Sequence, residues 1–441
     1  MAFSLSGVHV PHRKNTADKP ALRMEPPKTV VIPMSMHIGA PAKPVVKVGD
    51  LVCVGTLIAE AGGAVSAPIH ASVSGKVTKI ADFLLSDGRT VPAVVIESDG
   101  QMTPDDSIAP PTIHSREDFI EAVKNAGIVG LGGAGFPTHF KLNADPAKIE
   151  YLIINGAECE PYVTSDTLTM VERADDMAVA LEALKTHLGI RNIVIGIENN
   201  KKKAIESMQE LMNRVGNGCT ARVKVLPAVY PQGGEKVLIY HTTGRVVPVG
   251  KLPIDVGCVV MNCTTLAAIG AYLKTGMPLV EKCVTVDGGS VKSPANVWMP
   301  IGTSMAEAFA FCGGLLNEFP SKVVYGGPMM GIAVPDTTAP ILKNTNAILA
   351  LTAKETELPK TTACIRCGAC TNTCPFGLAP AAIAKAYKNR DAAMLEELSL
   401  NACMECGCCS YVCPANRPLV QTNKLAKVFL KEEKAKEGSQ S

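Results

Sequence analysis

Residues 130–141 read GLGGAGFPTHFK. Gly130, Gly132 and Gly135 form a G-x-G-x-x-G array, the spacing that opens a dinucleotide-binding βαβ unit when a strand precedes it and a helix follows. The residues in front do not supply that strand. In FIEAVKNAGIVG the apolar Phe119, Ile120, Val123 and Ala126 recur at helical spacing. The loop therefore follows a helix and fails the context of a standard dinucleotide fingerprint. Its glycines still offer backbone N–H groups to an anion, and Lys141 adds a nearby charge.

Downstream the pattern alternates. YLIIN (151–155), RNIVIGI (191–197) and ARVKVLPAV (221–229) read as strands, and DDMAVALEALKTHLGI (175–190) and KKKAIESMQELMNR (201–214) as amphipathic helices. Such alternation predicts a parallel sheet with right-handed crossovers, whose ligands sit beyond the carboxyl ends of the strands. The three strand ends lead into NGAECEPY, ENN and YPQGGEK. Ordinary loop punctuation explains the Gly and Asn there, but not Glu158, Glu160 and Glu235 together, so a binding crevice is expected.

Of 16 cysteines, nine crowd into residues 364–413. CIRCGACTNTCP (364–375) and CMECGCCSYVCP (403–414) each have the form C-x2-C-x2-C-x3-C-P. Three thiolates at every third residue wrap one corner of an iron–sulfur cube, and the fourth closes the other cluster. That rule predicts two [4Fe–4S] clusters. Cluster one takes Cys364, Cys367, Cys370 and Cys413; cluster two takes Cys403, Cys406, Cys409 and Cys374. Structural zinc favours separated C-x2-C pairs, which neither run shows. Cys408 stands off the ligand series and reads as a buried spare thiol. LAPAAIAKAYKNRDAAMLEELSL between the runs has helical apolar spacing, so a helix-linked dicluster module is expected.

The 441 residues suggest about three domains. A net charge of +2 gives no electrostatic case for nucleic acid. Mean hydropathy is +0.18, yet apolar runs such as VGCVVMNCTTLAAIGAYL are interrupted by Gly, Asn and Thr. Any membrane contact is expected through a partner. The opening MAFSLSGVHVPHRKN lacks a secretory layout, so a cytoplasmic location is expected.

GLGGAGFPTHFK resembles the flavin loop of the NADH-oxidising subunit of respiratory complex I, usually worded GxGGAGFPTGxKW. NGAECEPY, GGEKVL (233–238) and VVMNCTTLA (259–267) match that family's next segments in order. Over nearly the whole chain, including SGVHVPHRKN, YPQGGEKVLIYHTTGRVVP, KVVYGGPMMG and both cysteine runs, the sequence is similar to the RnfC family of the ion-pumping Rnf complex.

The resemblance implies a multidomain α/β chain in four units. These are an N-terminal barrel-sandwich hybrid (1–112), a Rossmann-like FMN/NADH domain (113–275), a β-grasp (SLBB) insert with its return segment (276–350) and a helical dicluster ferredoxin domain (351–441). It implies FMN held by Gly130, Gly132, Gly133 and Gly135, with Lys141 near the phosphate. Asn155, Glu158, Glu235 and Asn262 would line the flavin or nicotinamide side, and Phe136 would stack on an NADH ring or simply pack. Ala157 and Met261 depart from the complex I wording. In residues 29–80 the lipoyl-like tip carries His70 in place of a lysine, which argues for a docking role. His9, His12, His37 and His114 read as surface or satisfied residues.

The implied activity is electron transfer between NAD(H), FMN and two clusters. The implied setting is the cytoplasmic face of the membrane, among membrane-embedded and ferredoxin-like Rnf subunits that move Na+ or H+. The alternatives are a flavin-dependent cobalamin reductase of a microcompartment and a cluster-binding scaffold without flavin.

Overall fold

The computed structural model describes residues 7–86, 88–317 and 320–438. The chain begins by reaching across its own later domains. Val8 makes an antiparallel bridge to Tyr230, and Leu22–Arg23 adds a parallel edge strand beside Ala295–Pro300. Thr29–Pro33, Thr90–Ser98, Gly75–Leu84 and Leu51–Val52 then form an antiparallel sheet in that order. A three-stranded sheet of Lys43–Pro44, Leu57–Glu60 and Ile69–His70 completes this domain. Alternation places Val30, Ile32, Val77, Val94 and Ile96 inside, all fully buried.

The next domain holds a four-stranded parallel sheet ordered Thr220–Leu226, Asn192–Glu198, Tyr151–Asn155, Cys258–Asn262. In chain order this is 3-2-1-4. The direction of growth therefore reverses between the first and fourth strands, and a crevice opens at such a reversal. The helices Ala174–Leu188 and Lys202–Val215 occupy the spans their periodicity indicates. The third strand stops at Leu226, and the helix ahead of the glycine loop runs Arg116–Asn125, opened by a Ser115–Asp118 capping box.

A six-stranded mixed sheet follows, ordered Leu22–Arg23, Ala295–Pro300, Glu281–Asp287, Ala347–Leu351, Lys322–Tyr325, Ile332–Val334. In the cysteine module the linking segment is two helices, Pro380–Lys388 and Ala392–Glu397, with Arg390 at φ +54° between them. The single apolar periodicity concealed that break. Ile383, Leu395, Leu400, Ala426 and Leu430 give this module its own core.

Lys343 ties three of these units together. It is 1% exposed, and its ammonium donates to Pro68 O (2.6 Å) and Gly127 O (2.7 Å). His70, at the lipoyl-like tip, is buried with Nδ1 unpartnered, and burial beside Lys343 pushes its pKa down to about 3. The tip is a packed junction, not an exposed arm.

Burial also lowers the Lys343 pKa from 10.5 to about 7. Between those two values the unfolded chain binds the extra proton, so stability rises with pH across that window and this group adds no slope below it. Lys343→Met is expected to flatten the rise in Tm between pH 7 and about 9. An unchanged slope would assign the pH dependence to other groups.

Candidate functional site

The glycine loop lies against the end of the fourth strand and the helix that follows it. Gly130 N donates to Phe136 O (2.8 Å), closing the loop on itself, and Leu131 N donates to Thr265 Oγ1 (2.9 Å). A Cβ on Gly132 would lie 2.2 Å from Asn262 Nδ2, whereas one on Gly133 would meet nothing within 4 Å. The loop is thus pressed onto the sheet on one side and open on the other. Gly135, at φ +71°, takes a backbone conformation that side-chain-bearing residues rarely adopt.

Asn262 ends the fourth strand and caps the helix Cys263–Thr275, its Oδ1 accepting from Thr264 N (2.8 Å) and Thr265 N (3.3 Å). Its Nδ2 donates to Asp166 Oδ2 (2.7 Å), and Thr264 Oγ1 donates to Asp166 Oδ1 (2.6 Å). Asp166, buried here, carries no motif that pattern reading singles out. Glu158 is also buried. Its carboxylate accepts from Asp166 N (2.8 Å) and Thr167 Oγ1 (2.7 Å), at the start of the helix Ser165–Glu172. Burial raises the Glu158 pKa. The helix N-terminus supplies the compensating donors.

Asn155 ends the first strand and ties two loops together, its Nδ2 donating to Gly233 O (2.9 Å) while Oδ1 accepts from Ala157 N (3.1 Å). Lys141 donates to Val260 O (2.9 Å) and pairs with Glu235 at 3.2 Å. Both side chains of that pair are partly exposed, so it contributes on the order of 0–1 kcal/mol and leaves Lys141 able to take another anion. Phe136 packs edge-on to the exposed Phe140 at 5.8 Å.

Two lysines outside the expected set brace the site. Lys14, from the SGVHVPHRKN stretch, gathers the carbonyls of Glu158, Glu160 and Val163, and burial lowers its pKa. Lys282, 1% exposed and borne by the neighbouring sheet, donates to Leu131 O at 3.2 Å from beneath the glycine loop. Neither position has a local signature, because each acts on residues more than 100 positions away.

The eight expected cluster cysteines fall into two cavities. Cys364, Cys367, Cys370 and Cys413 line one; Cys374, Cys403, Cys406 and Cys409 line the other. Each set crosses between the two runs. Four soft thiol donors facing one space suit an iron–sulfur cluster, and an open glycine cradle at a strand-end crevice suits a flavin phosphate. Cys408 also lines the second cavity, but its buried thiol donates to Tyr230 O at 3.8 Å. Tyr230 Oη in turn donates to Cys406 O at 2.7 Å. The second run thus lies against the flavin-type domain: a Cβ on Gly234 would be 2.5 Å from Met404 Cε.

Residues 123–271 match the Nuo51 FMN-binding domain, 3–101 the RnfC barrel sandwich hybrid domain, 283–333 the SLBB domain and 360–417 the 4Fe-4S dicluster domain. Among solved structures, the H2-reduced NAD+-reducing [NiFe]-hydrogenase shares the fold at a TM-score of 0.50 and 19% identity, over 73% of this chain and 62% of that one. Fold and site together define a flavin- and iron–sulfur-binding electron-transfer protein. The chain is 44% identical over 392 residues to the C component of the Na(+)-translocating ferredoxin:NAD(+) oxidoreductase complex of Acetobacterium woodii, covering 87% of each chain. It is 42% identical to the C component of the ion-translocating oxidoreductase complex of Rhodobacter capsulatus, over 99% of this chain and 85% of that one. It belongs to the RnfC family.

Proposed function

We propose that this chain is the peripheral NAD(H)-reacting subunit of an Rnf-type ferredoxin:NAD+ oxidoreductase, coupled through membrane partners to Na+ or H+ movement at the cytoplasmic face. We read it as four units, 1–112, 113–275, 276–350 and 351–441, with the strand Leu22–Arg23 added to the third. Among the described residues no helix is long and apolar enough to cross a membrane, which fits attachment through other subunits.

The observation that carries this reading is the seat of Met404 on Gly234. The second cysteine cavity lies there, directly beside the loops that frame the flavin crevice. FMN, when bound, supplies the exchange between a two-electron hydride donor and one-electron clusters. The chain's own residues position it. Gly130, Gly132, Gly133 and Gly135 admit the phosphate end, Lys141 neutralises it, and Asn262 and Asp166 set the floor. Asn155 and Glu235 frame the mouth where a nicotinamide would enter, with Phe136 and Phe140 as apolar neighbours. Glu158 and Lys14 hold the wall in place, and no side chain need act as acid or base.

The test is spectroscopic. Reconstituted protein is expected to show FMN with about eight irons per chain, and anaerobic NADH is expected to bleach the flavin band. A chain that holds its clusters but takes up no flavin and ignores NADH would leave only a scaffold role.

A further inference from the structure

The two cysteine runs are an internal repeat, and the repeat lets one half of the module predict what the other half touches. Ile365 aligns with Met404, Arg366 with Glu405, Gly368 with Gly407 and Ala369 with Cys408. The backbone repeats as well: Arg366 and Glu405 have φ +58° and +62°, Gly368 and Gly407 +76° and +82°, and each pair leads into a four-residue helix.

The surroundings do not repeat. In the second run Met404 sits on Gly234, the backbone at Gly407 lies against Met329 O, and Cys406, Cys408 and Cys409 are buried, with Val8, Val10, Tyr230 and Met329 packed against this run. In the first run residues 357–368 are all exposed, Cys364 and Cys367 among them. Ile365 is 67% exposed and Leu358 85%. A Cβ on Gly368 would meet only Asn372 of its own turn, at 4.0 Å. The charge also changes sign: Glu405 is paired with Lys427, whereas the rim of the first cavity carries Arg366 and Arg417, with Lys360 beside it. Lys360 is joined to that rim because Thr362 N donates to Ala415 O (3.0 Å) and Asn416 Nδ2 donates to Lys360 O.

We propose that the face formed by Leu358, Lys360, Ile365, Arg366 and Arg417 is the docking surface for an acidic one-electron carrier protein, seated on Ile365 as the flavin domain is seated on Met404. This rests on the electron-transfer reading above and adds the order of the wire. Cluster two faces the flavin, and cluster one exchanges one electron at a time with the carrier, whose acidic rim meets the three cations. Opposite charge around two cofactors raises the encounter rate by about 10-fold or more at low salt, and the gain falls as salt screens it.

The test uses the full chain loaded with FMN and both clusters and reduced by dithionite, so that NADH reactivity is not involved. Its oxidation is followed with two carriers of opposite charge and similarly high potential, acidic plastocyanin and basic cytochrome c. Plastocyanin is expected to react about 10-fold faster at low ionic strength, with the difference vanishing at high salt. Lys360→Glu should remove most of that preference, and Ile365→Asp should slow plastocyanin further, with iron content and the NADH bleaching of the flavin unchanged. If Ile365→Asp sheds iron, Lys360→Glu, which lies outside the cavity lining, decides alone. Equal rates with the two carriers, a preference for cytochrome c, or a Lys360→Glu chain that behaves as the parent would overturn the proposal. Failure of NADH to bleach the flavin while the plastocyanin preference persists would strike the functional reading and leave the docking surface standing.

Discussion

Cys374→Ser is expected to halve the iron of the purified chain, from about eight to about four atoms, and to remove the cluster beside the flavin. Cys374 belongs by sequence to the first run, yet its thiol lines the cavity of Cys403, Cys406 and Cys409. Serine keeps the size of the side chain but not the soft thiolate donor that cluster irons select. Pairs of substitutions make the assignment decisive. Cys374→Ser with Cys403→Ser should lose no more iron than either alone, because both strip one cluster. Cys374→Ser with Cys364→Ser should lose nearly all of it. The reverse pattern would mean that each run closes its own cluster. Cys408→Ala is the control: the aligned position in the first run is Ala369, so the iron content should hold.

Gly132→Ala is expected to weaken FMN binding by about 100-fold, the equivalent of about 3 kcal/mol. The added methyl would lie 2.2 Å from Asn262 Nδ2 and 2.6 Å from its Cγ. Asn262 has little freedom to retreat, since it caps one helix and donates to Asp166. Moving it forfeits a cap of about 1 kcal/mol and leaves a buried carboxylate short of a donor, about 1–3 kcal/mol more. Apo-protein Tm should therefore fall together with flavin affinity. Gly133→Ala separates the two effects. Its Cβ meets nothing within 4 Å, so the apo-protein should melt as the parent does while FMN titration shows weaker binding. Intact FMN affinity in Gly133→Ala would place the flavin elsewhere.

Much of this chain is legible because some physics is local. Ligand spacing in the two cysteine runs is a property of about ten consecutive residues, and so is the apolar periodicity that marks 151–155, 175–190, 191–197 and 201–214. The glycine loop is separable from a dinucleotide fingerprint for the same reason, since the helix Arg116–Asn125 in front of it announces itself within a few turns. Where local signals overlap they mislead: one apolar rhythm runs through 378–400 although the backbone turns at Arg390.

Burial and charge balance are sums over neighbours that the chain delivers from far away. Lys14 bracing Glu158, Lys282 beneath Leu131 and Asp166 holding Asn262 each join segments about 100 residues or more apart. Glu158 shows the difference well. Its motif suggests a residue facing the cofactor, but the fold turns its carboxylate onto a helix N-terminus, where the unpaired N–H groups satisfy it. The amino-acid sequence by itself determined the spacing of the two cysteine runs, the strand–helix order and the kind of loop that opens the crevice. Only the tertiary structure decided which cysteine run lies against the flavin domain and which is left exposed. Those properties depend on what packs around identical local geometry, as the half-buried Met404 and the exposed Ile365 demonstrate.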